Sequence, residues 1–144
     1  MLMENNILKA SKEFQVRFSE VDSMNIVWHG SYALYFEDAR EEFGRKYGID
    51  YLSIFGNGYY APLVDLRFQY KKPLVFGKTA RIEITFRNTE SAKLIFDYEI
   101  FDNEDNSLIA TGYSIQVFLD KQYQLVWNNP QFYVEWKQKH GLMN

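Results

Sequence analysis

The chain has 144 residues, 47% hydrophobic and 18% aromatic, with 16 basic against 19 acidic side chains and no cysteine. That length suits one domain, spanning residues 1–144 and able to bury about 68–70% of the surface its unfolded chain exposes. The apolar content excludes a long disordered protein. A net charge of −3 leaves no basic footprint for wrapping nucleic acid, and without cysteine there is no disulfide, thiolate metal site or thiol nucleophile. Met1 to Lys12 is mixed and polar, without the apolar core of a secretory signal. No stretch approaches the ~20 apolar residues of a membrane span, so a soluble cytoplasmic protein is expected.

Glu13 to Ser19 alternates, with Phe14, Val16 and Phe18 on one side, which predicts a half-buried strand. After a polar stretch the period changes. Tyr32, Phe36, Ala39, Phe43 and Tyr47 form one apolar stripe at helical spacing. Ser31 is the expected amino-terminal cap of this helix and Gly48 its stop. Four alternating segments follow. Val64, Leu66, Phe68 and Tyr70 share one face, as do Ala80, Ile82, Ile84 and Phe86, and then Leu94, Phe96, Tyr98 and Ile100. Ile109, Thr111, Tyr113, Ile115, Val117 and Leu119 make the last run, and turn-like stretches separate the four. The carboxy-terminal extension, residues 128–144, holds Pro130 and an aromatic-rich segment that reads as a short helix.

The order of strand, long helix and four strands predicts an α+β domain, one curved antiparallel sheet laid over one helix. With 11 Tyr and 12 Phe, the sheet has more apolar area than one helix covers. A partner subunit is the expected cover, making the protein a homo-oligomer; the carboxy-terminal segment is the other candidate.

The informative stretch runs from Phe18 to Tyr32, FSEVDSMNIVWHGSY. It resembles the signature of the 4-hydroxybenzoyl-CoA thioesterase family and its YbgC-like acyl-CoA thioesterase branch, which have the hotdog fold. There a strand ends in an acid–x–Asp pair, and three residues lead to a hydrophobic pair, an aromatic, a polar residue and a helical Tyr. Glu20 and Asp22 match the acids, Ile26-Val27 the hydrophobic pair, Trp28 the aromatic and His29 the branch's His. Tyr35 to Arg40 resembles the family's helix, and Tyr70-Lys71-Lys72-Pro73-Leu74 with Gly77 its strand-end segment, so the resemblance covers about residues 12–120. Asn25 stands where the family commonly has Gly, and Phe18 where the branch often has Tyr.

The resemblance implies a thioester hydrolase that splits an acyl- or aryl-CoA into acid and CoA. It implies Asp22 and His29 as catalytic residues and a homotetramer, with a dimer second; Gly30, Tyr32 and Tyr60 are the expected substrate-binding residues, and neither cofactor nor metal is expected. Such hydrolysis needs a nucleophile or a base for water, and donors for the developing oxyanion. The backbone N–H groups where the helix begins, near His29 to Ser31, form a ready oxyanion hole. Asp22 then either attacks the carbonyl or deprotonates water, and His29 acts through its backbone N–H or its ring. Glu20 reads as a structural carboxylate, and Phe55, Tyr59 and Tyr60 as candidate walls of the acyl path. An acyl carrier protein thioesterase is the near alternative, and a non-catalytic acyl-binding or interaction protein of the same fold the more distant one. Only His29 and His140 exist, too few for a His-rich metal centre. Gly56-Asn57-Gly58 lacks the Lys of a phosphate loop, and no Ser sits in a nucleophile elbow.

Overall fold

The computed structural model describes residues 6–144. The expected domain and the Met1 to Lys12 segment therefore each include residues 1–5, which lie outside the described part. Strand β1 (Lys9–Gln15) begins and ends earlier than the expected Glu13 to Ser19 strand. Its partner strand fixes the end, because Gln15 lies opposite Thr79, the first residue of β3 (Thr79–Arg87). The alternation persists to Val16, which is buried and donates its N–H to the Lys78 carbonyl at 2.9 Å. The Arg17 N–H then reaches Glu20 Oε1 at 2.8 Å around a single 3₁₀ turn, Phe18–Glu20. That turn throws Phe18 out to 76% exposure, so Phe18 does not share the buried face of Phe14 and Val16.

Helix α1 (His29–Tyr47) starts two residues before the expected cap Ser31. Entry is forced at Trp28, whose N–H bonds the Glu20 carbonyl at 2.8 Å, while the Val27 N–H bonds the Leu74 carbonyl at 2.7 Å. Ser31 instead sits in the first turn, where its hydroxyl donates to the Glu20 carbonyl at 3.3 Å. The predicted stripe is the buried one: Tyr32, Phe36, Ala39 and Phe43 are all core. Gly48 ends the helix in the left-handed conformation, φ 73°, as expected for a residue without a Cβ.

A short helix α2 (Tyr51–Gly56) follows, capped by the Asp50 carboxylate on the Ser53 N–H. Six residues leave no periodicity to read, and the sequence analysis does not anticipate it. Strands β2 (Leu63–Tyr70), β3, β4 (Lys93–Asp102) and β5 (Leu108–Val117) join β1 in one antiparallel sheet of order β1-β3-β4-β5-β2. The inner faces of β3 and β4 are the predicted ones, Ala80 to Phe86 and Leu94 to Ile100 on alternate positions.

Strand β5 departs from its pattern. Thr111, Tyr113, Ile115 and Val117 are half-buried on the outer side, where Tyr113 pairs with Asp97 and its hydroxyl donates to Asp65. The helix side carries Ala110, Gly112 and Ser114, because α1 lies too close for anything larger. A Cβ on Gly112 would stand 2.3 Å from Phe36 and 2.4 Å from the Arg67 carbonyl oxygen.

Helix α3 (Gln131–Lys139) forms within the predicted extension. Its Tyr133 and Trp136 pack against Phe118, Phe86 and Phe43, and the Trp136 indole N–H donates to the Tyr47 carbonyl at 2.8 Å. The carboxy-terminal segment thus covers one end of the core. It leaves the edge strand β2 open, with Leu63, Val64 and Tyr70 at 38%, 59% and 53% exposure.

Replacing Gly112 by Ala forces either the Phe36 ring or the β2 backbone to move. The expected cost is about 2–3 kcal/mol, measured by urea unfolding, with a fall of several degrees in Tm.

Candidate active site

Asp22 opens a tight turn closed by its own N–H on the Ile26 carbonyl at 2.8 Å and by the Asn25 N–H on the Asp22 carbonyl at 3.0 Å. Asn25 takes the left-handed conformation there, φ 66°. Asn is the non-glycine residue that best tolerates it, so the substitution for the commoner Gly keeps the turn. Bridges from Val21 to Val27 and from Ile26 to Val75 extend the turn into a small ladder beside the sheet.

Within that turn the Asp22 carboxylate is oriented by one oxygen. Oδ1 accepts from the Met24 N–H at 2.8 Å and the Ile26 N–H at 3.3 Å. Oδ2 has no hydrogen bond among the described residues. A few residues on, α1 begins with two backbone donors, the N–H groups of His29 and Gly30, that have no partner among the described residues; the next, Ser31, already bonds the Trp28 carbonyl. These groups carry the positive end of the helix dipole.

Asp22, His29 and Tyr32 line one groove of about 390 Å³, together with Ile26, Val27 and the strand-end segment Tyr70 to Pro73. Three of the five proposed site residues meet here, and Gly30 adjoins them in the first turn of α1. Gly30 has a steric role as well: a Cβ would lie 2.0 Å from the Trp28 ring, so the missing side chain lets that ring fold over the helix end. The His29 ring lies 5.0 Å from the Trp28 ring. No hydrogen bond joins it to Asp22 among the described residues.

Tyr32 is buried, its ring edge-on to Tyr70 at 4.9 Å. Burial, with a smaller contribution from Tyr70, pushes its phenol up to about 12, so it stays neutral. Tyr35 is a residue whose position the sequence does not single out. Its hydroxyl donates to Glu20 Oε1 at 3.0 Å, and burial with the Glu20 charge raises its phenol well above the ordinary range. Glu20 is therefore committed to the loop, consistent with a structural carboxylate. Phe18 has no hydroxyl to offer and sits edge-on to Phe76 at 5.7 Å.

Tyr60 lies elsewhere. It lines a larger cavity of about 830 Å³ between α1, α2 and the start of β2, with Glu37, Arg40, Tyr51 and Leu63 among its walls. Phe55 stands beside Tyr60 with Lys121 Nζ 3.1 Å from its ring centre, whereas Tyr59 is packed against Phe118 and Phe132. Among the described residues no three His, Asp or Glu side chains gather as a metal site. No described helix is long and apolar enough to cross a membrane.

Because the Tyr32 phenol is raised from 10.0 to about 12 in the folded protein, its contribution to stability is intact below pH 10 and is lost as pH rises through 12. Tyr32→Phe removes that linkage. Urea unfolding across this alkaline range is expected to show a shallower loss of stability in the variant than in the wild type.

Residues 16–136 match the family model described as the thioesterase-like superfamily. Over 113 residues, 78% of this chain and 81% of the other, the sequence is 31% identical to a Bacillus subtilis (strain 168) protein named "Putative acyl-CoA thioesterase YneP". The crystal structure of a DHNA-CoA thioesterase from Staphylococcus aureus superposes with a TM-score of 0.81 at 25% identity, covering 91% of this chain and 89% of that one. The 12:0-ACP thioesterase of Umbellularia californica shares the fold at a TM-score of 0.81 with 12% identity, over 95% of this chain and 55% of that one. A sheet curved around one long helix, a family match over most of the chain and a relative of this similarity agree: the chain belongs to the thioesterase-like superfamily and has the hotdog fold.

Proposed function

We propose that this protein is an acyl-CoA thioesterase, hydrolysing an acyl or aryl thioester to a carboxylate and free coenzyme A. One observation carries the reading. Among the described residues, the Asp22 carboxylate is held by one oxygen, leaves the other unbonded, and shares its groove with a helix start whose first two N–H groups have no partner. A thioester carbonyl laid between them has a negative group at its carbon and donors at its oxygen, the two demands of acyl transfer.

Asp22 acts either as the base that takes a proton from water or as the nucleophile that forms a mixed anhydride. In both routes the carbon–sulfur bond breaks, the electron pair leaves on sulfur, and a proton originating from water ends on the thiol. The backbone N–H groups of His29 and Gly30 serve the oxyanion. The exposed His29 ring, bonded to nothing in the loop, is free to reach solvent or the leaving group. Names of relatives support the substrate class, and the likeness to a carrier-protein thioesterase keeps that alternative in view through fold alone.

The subunit edge in this reading is β2. Its exposed apolar side chains and unpaired backbone favour antiparallel pairing with a second copy. In such a pair the start of one β2 lies beside the end of the other, so the cavity lined by Tyr60 in one copy faces the Asp22 groove of the second, which is the reading in which Tyr60 meets the substrate. Two such dimers make the expected homotetramer.

Asp22→Asn keeps an oxygen for the Met24 and Ile26 N–H groups but loses the charge. Free-CoA release is expected to fall by about 10²–10⁴-fold on a panel of short, medium, long and aryl acyl-CoAs, while the melting curve changes little. Full turnover by the variant, where chemistry limits the rate, contradicts the role. Single turnover in isotopically labelled water identifies the nucleophilic route where water opens the anhydride at the Asp22 carbonyl, since the released acid then carries an unlabelled oxygen from Asp22 and Asp22 gains the label. Light scattering at micromolar concentration is expected to give a tetramer, and a monomer contradicts the edge argument.

A further inference from the structure

Lys71 and Lys72 stand on the wall of the Asp22 groove. A continuing strand sends consecutive side chains to opposite faces. Here β2 ends at Tyr70, and the N–H groups of Lys71 and Lys72 both bond the Ile109 carbonyl, at 2.8 and 3.1 Å. The chain therefore curls, and both residues line the same groove. The turn is tied to the catalytic loop by the Leu74 carbonyl, which accepts the Val27 N–H at 2.7 Å.

Three other cations near the strand ends have partners, whereas Lys93, at the start of β4, does not line the Asp22 groove. Lys78 pairs with Asp102 and Glu104, Arg87 with Asp97, and Arg67 lies over the outer-face Tyr113 ring. Neither Lys71 nor Lys72 joins a salt bridge among the described residues. The Asp105 carboxyl is held below its ordinary value first by its hydrogen bonds with Ser107 and only secondarily by the charges of Lys72 and Lys78. In a chain of net charge −3, two adjacent unpaired ammonium groups beside a catalytic carboxylate mark where a polyanion enters.

We propose that Lys71 and Lys72 bind the phosphates of coenzyme A. The phosphorylated end of the thiol arm leaves the groove over the Tyr70 to Pro73 turn, while the thioester carbonyl lies between Asp22 and the start of α1. This rests on the thioesterase reading and deepens it, since it makes the phosphates, and not only the acyl group, a determinant of substrate choice.

The test compares kcat/KM for one acyl group carried on coenzyme A and on pantetheine, which has no phosphate, using the full chain. The wild type is expected to prefer the coenzyme A ester by about tenfold or more, and the preference is expected to shrink as salt screens the contact. In the double variant Lys71→Ala with Lys72→Ala the ratio is expected to approach one, and in the double Arg variant to return. An unchanged ratio in the Ala variant, or no preference and no salt effect in the wild type, overturns the proposal while leaving thioester hydrolysis standing. Hydrolysis of neither ester by the wild type overturns both. The salt dependence is read on the wild type alone, so a variant that does not fold leaves the proposal open to refutation.

Discussion

The distance between α1 and the sheet is set where the Phe36 ring lies over Gly112. That ring stacks on Tyr98 at 4.1 Å and meets Phe68 edge-on at 4.9 Å, so three strands contribute to one seat. The seat is polar underneath: Tyr98 shares a 2.6 Å hydrogen bond with buried Ser114 and accepts from Arg40 at 3.0 Å. A buried hydroxyl pair without these partners would cost more than its packing returns. The small and polar residues of β5 are thus the condition for the close approach, and the close approach gives the first turn of α1 a fixed height above the sheet.

The Asp22 groove inherits that rigidity by short connections. The Glu20 carbonyl accepts from the Trp28 N–H and the Ser31 hydroxyl, and Glu20 Oε1 from the Arg17 N–H and the Tyr35 hydroxyl. One residue therefore ties strand end, loop and helix together. Val27 repeats the device from the other side through Leu74. Asp22 does not need a second side chain to aim it, because the turn in which it sits supplies the donors. That explains how a carboxylate holds its direction with no hydrogen bond from the His29 ring among the described residues.

How much of this the sequence discloses depends on the range of the interaction. The stripe of α1 and the faces of β3 and β4 are legible because each is buried against one neighbour along its length. Gly48 and Asn25 are legible because each meets a local backbone demand. The β5 face is not, since apolar alternation pointed outward there and the decisive fact, a ring from α1 over Gly112, is a contact across 76 positions of chain. Phe18 fails for a related reason: its alternation is genuine, but the partner strand has already ended. The gathering of Asp22, His29 and Tyr32 is legible through the resemblance of the Phe18 to Tyr32 stretch to a family signature, whereas the place of Tyr60 depends on which cavity the loop after α2 closes.

That place bears on how the enzyme is assembled. α1 and β2 run in opposite directions, so the Asp22 groove lies at the carboxy-terminal end of β2 and the Tyr60 cavity at its start. Leu63 and Tyr70 are seven residues apart, roughly 24 Å along an extended strand, which is too far for both cavities to hold one short or medium acyl group in the same chain. Antiparallel pairing of two β2 edges cancels the separation, because the start of one strand then lies beside the end of the other. Under the proposed function, the exposure of this edge and the separation of the two cavities are answered by one pairing of chains.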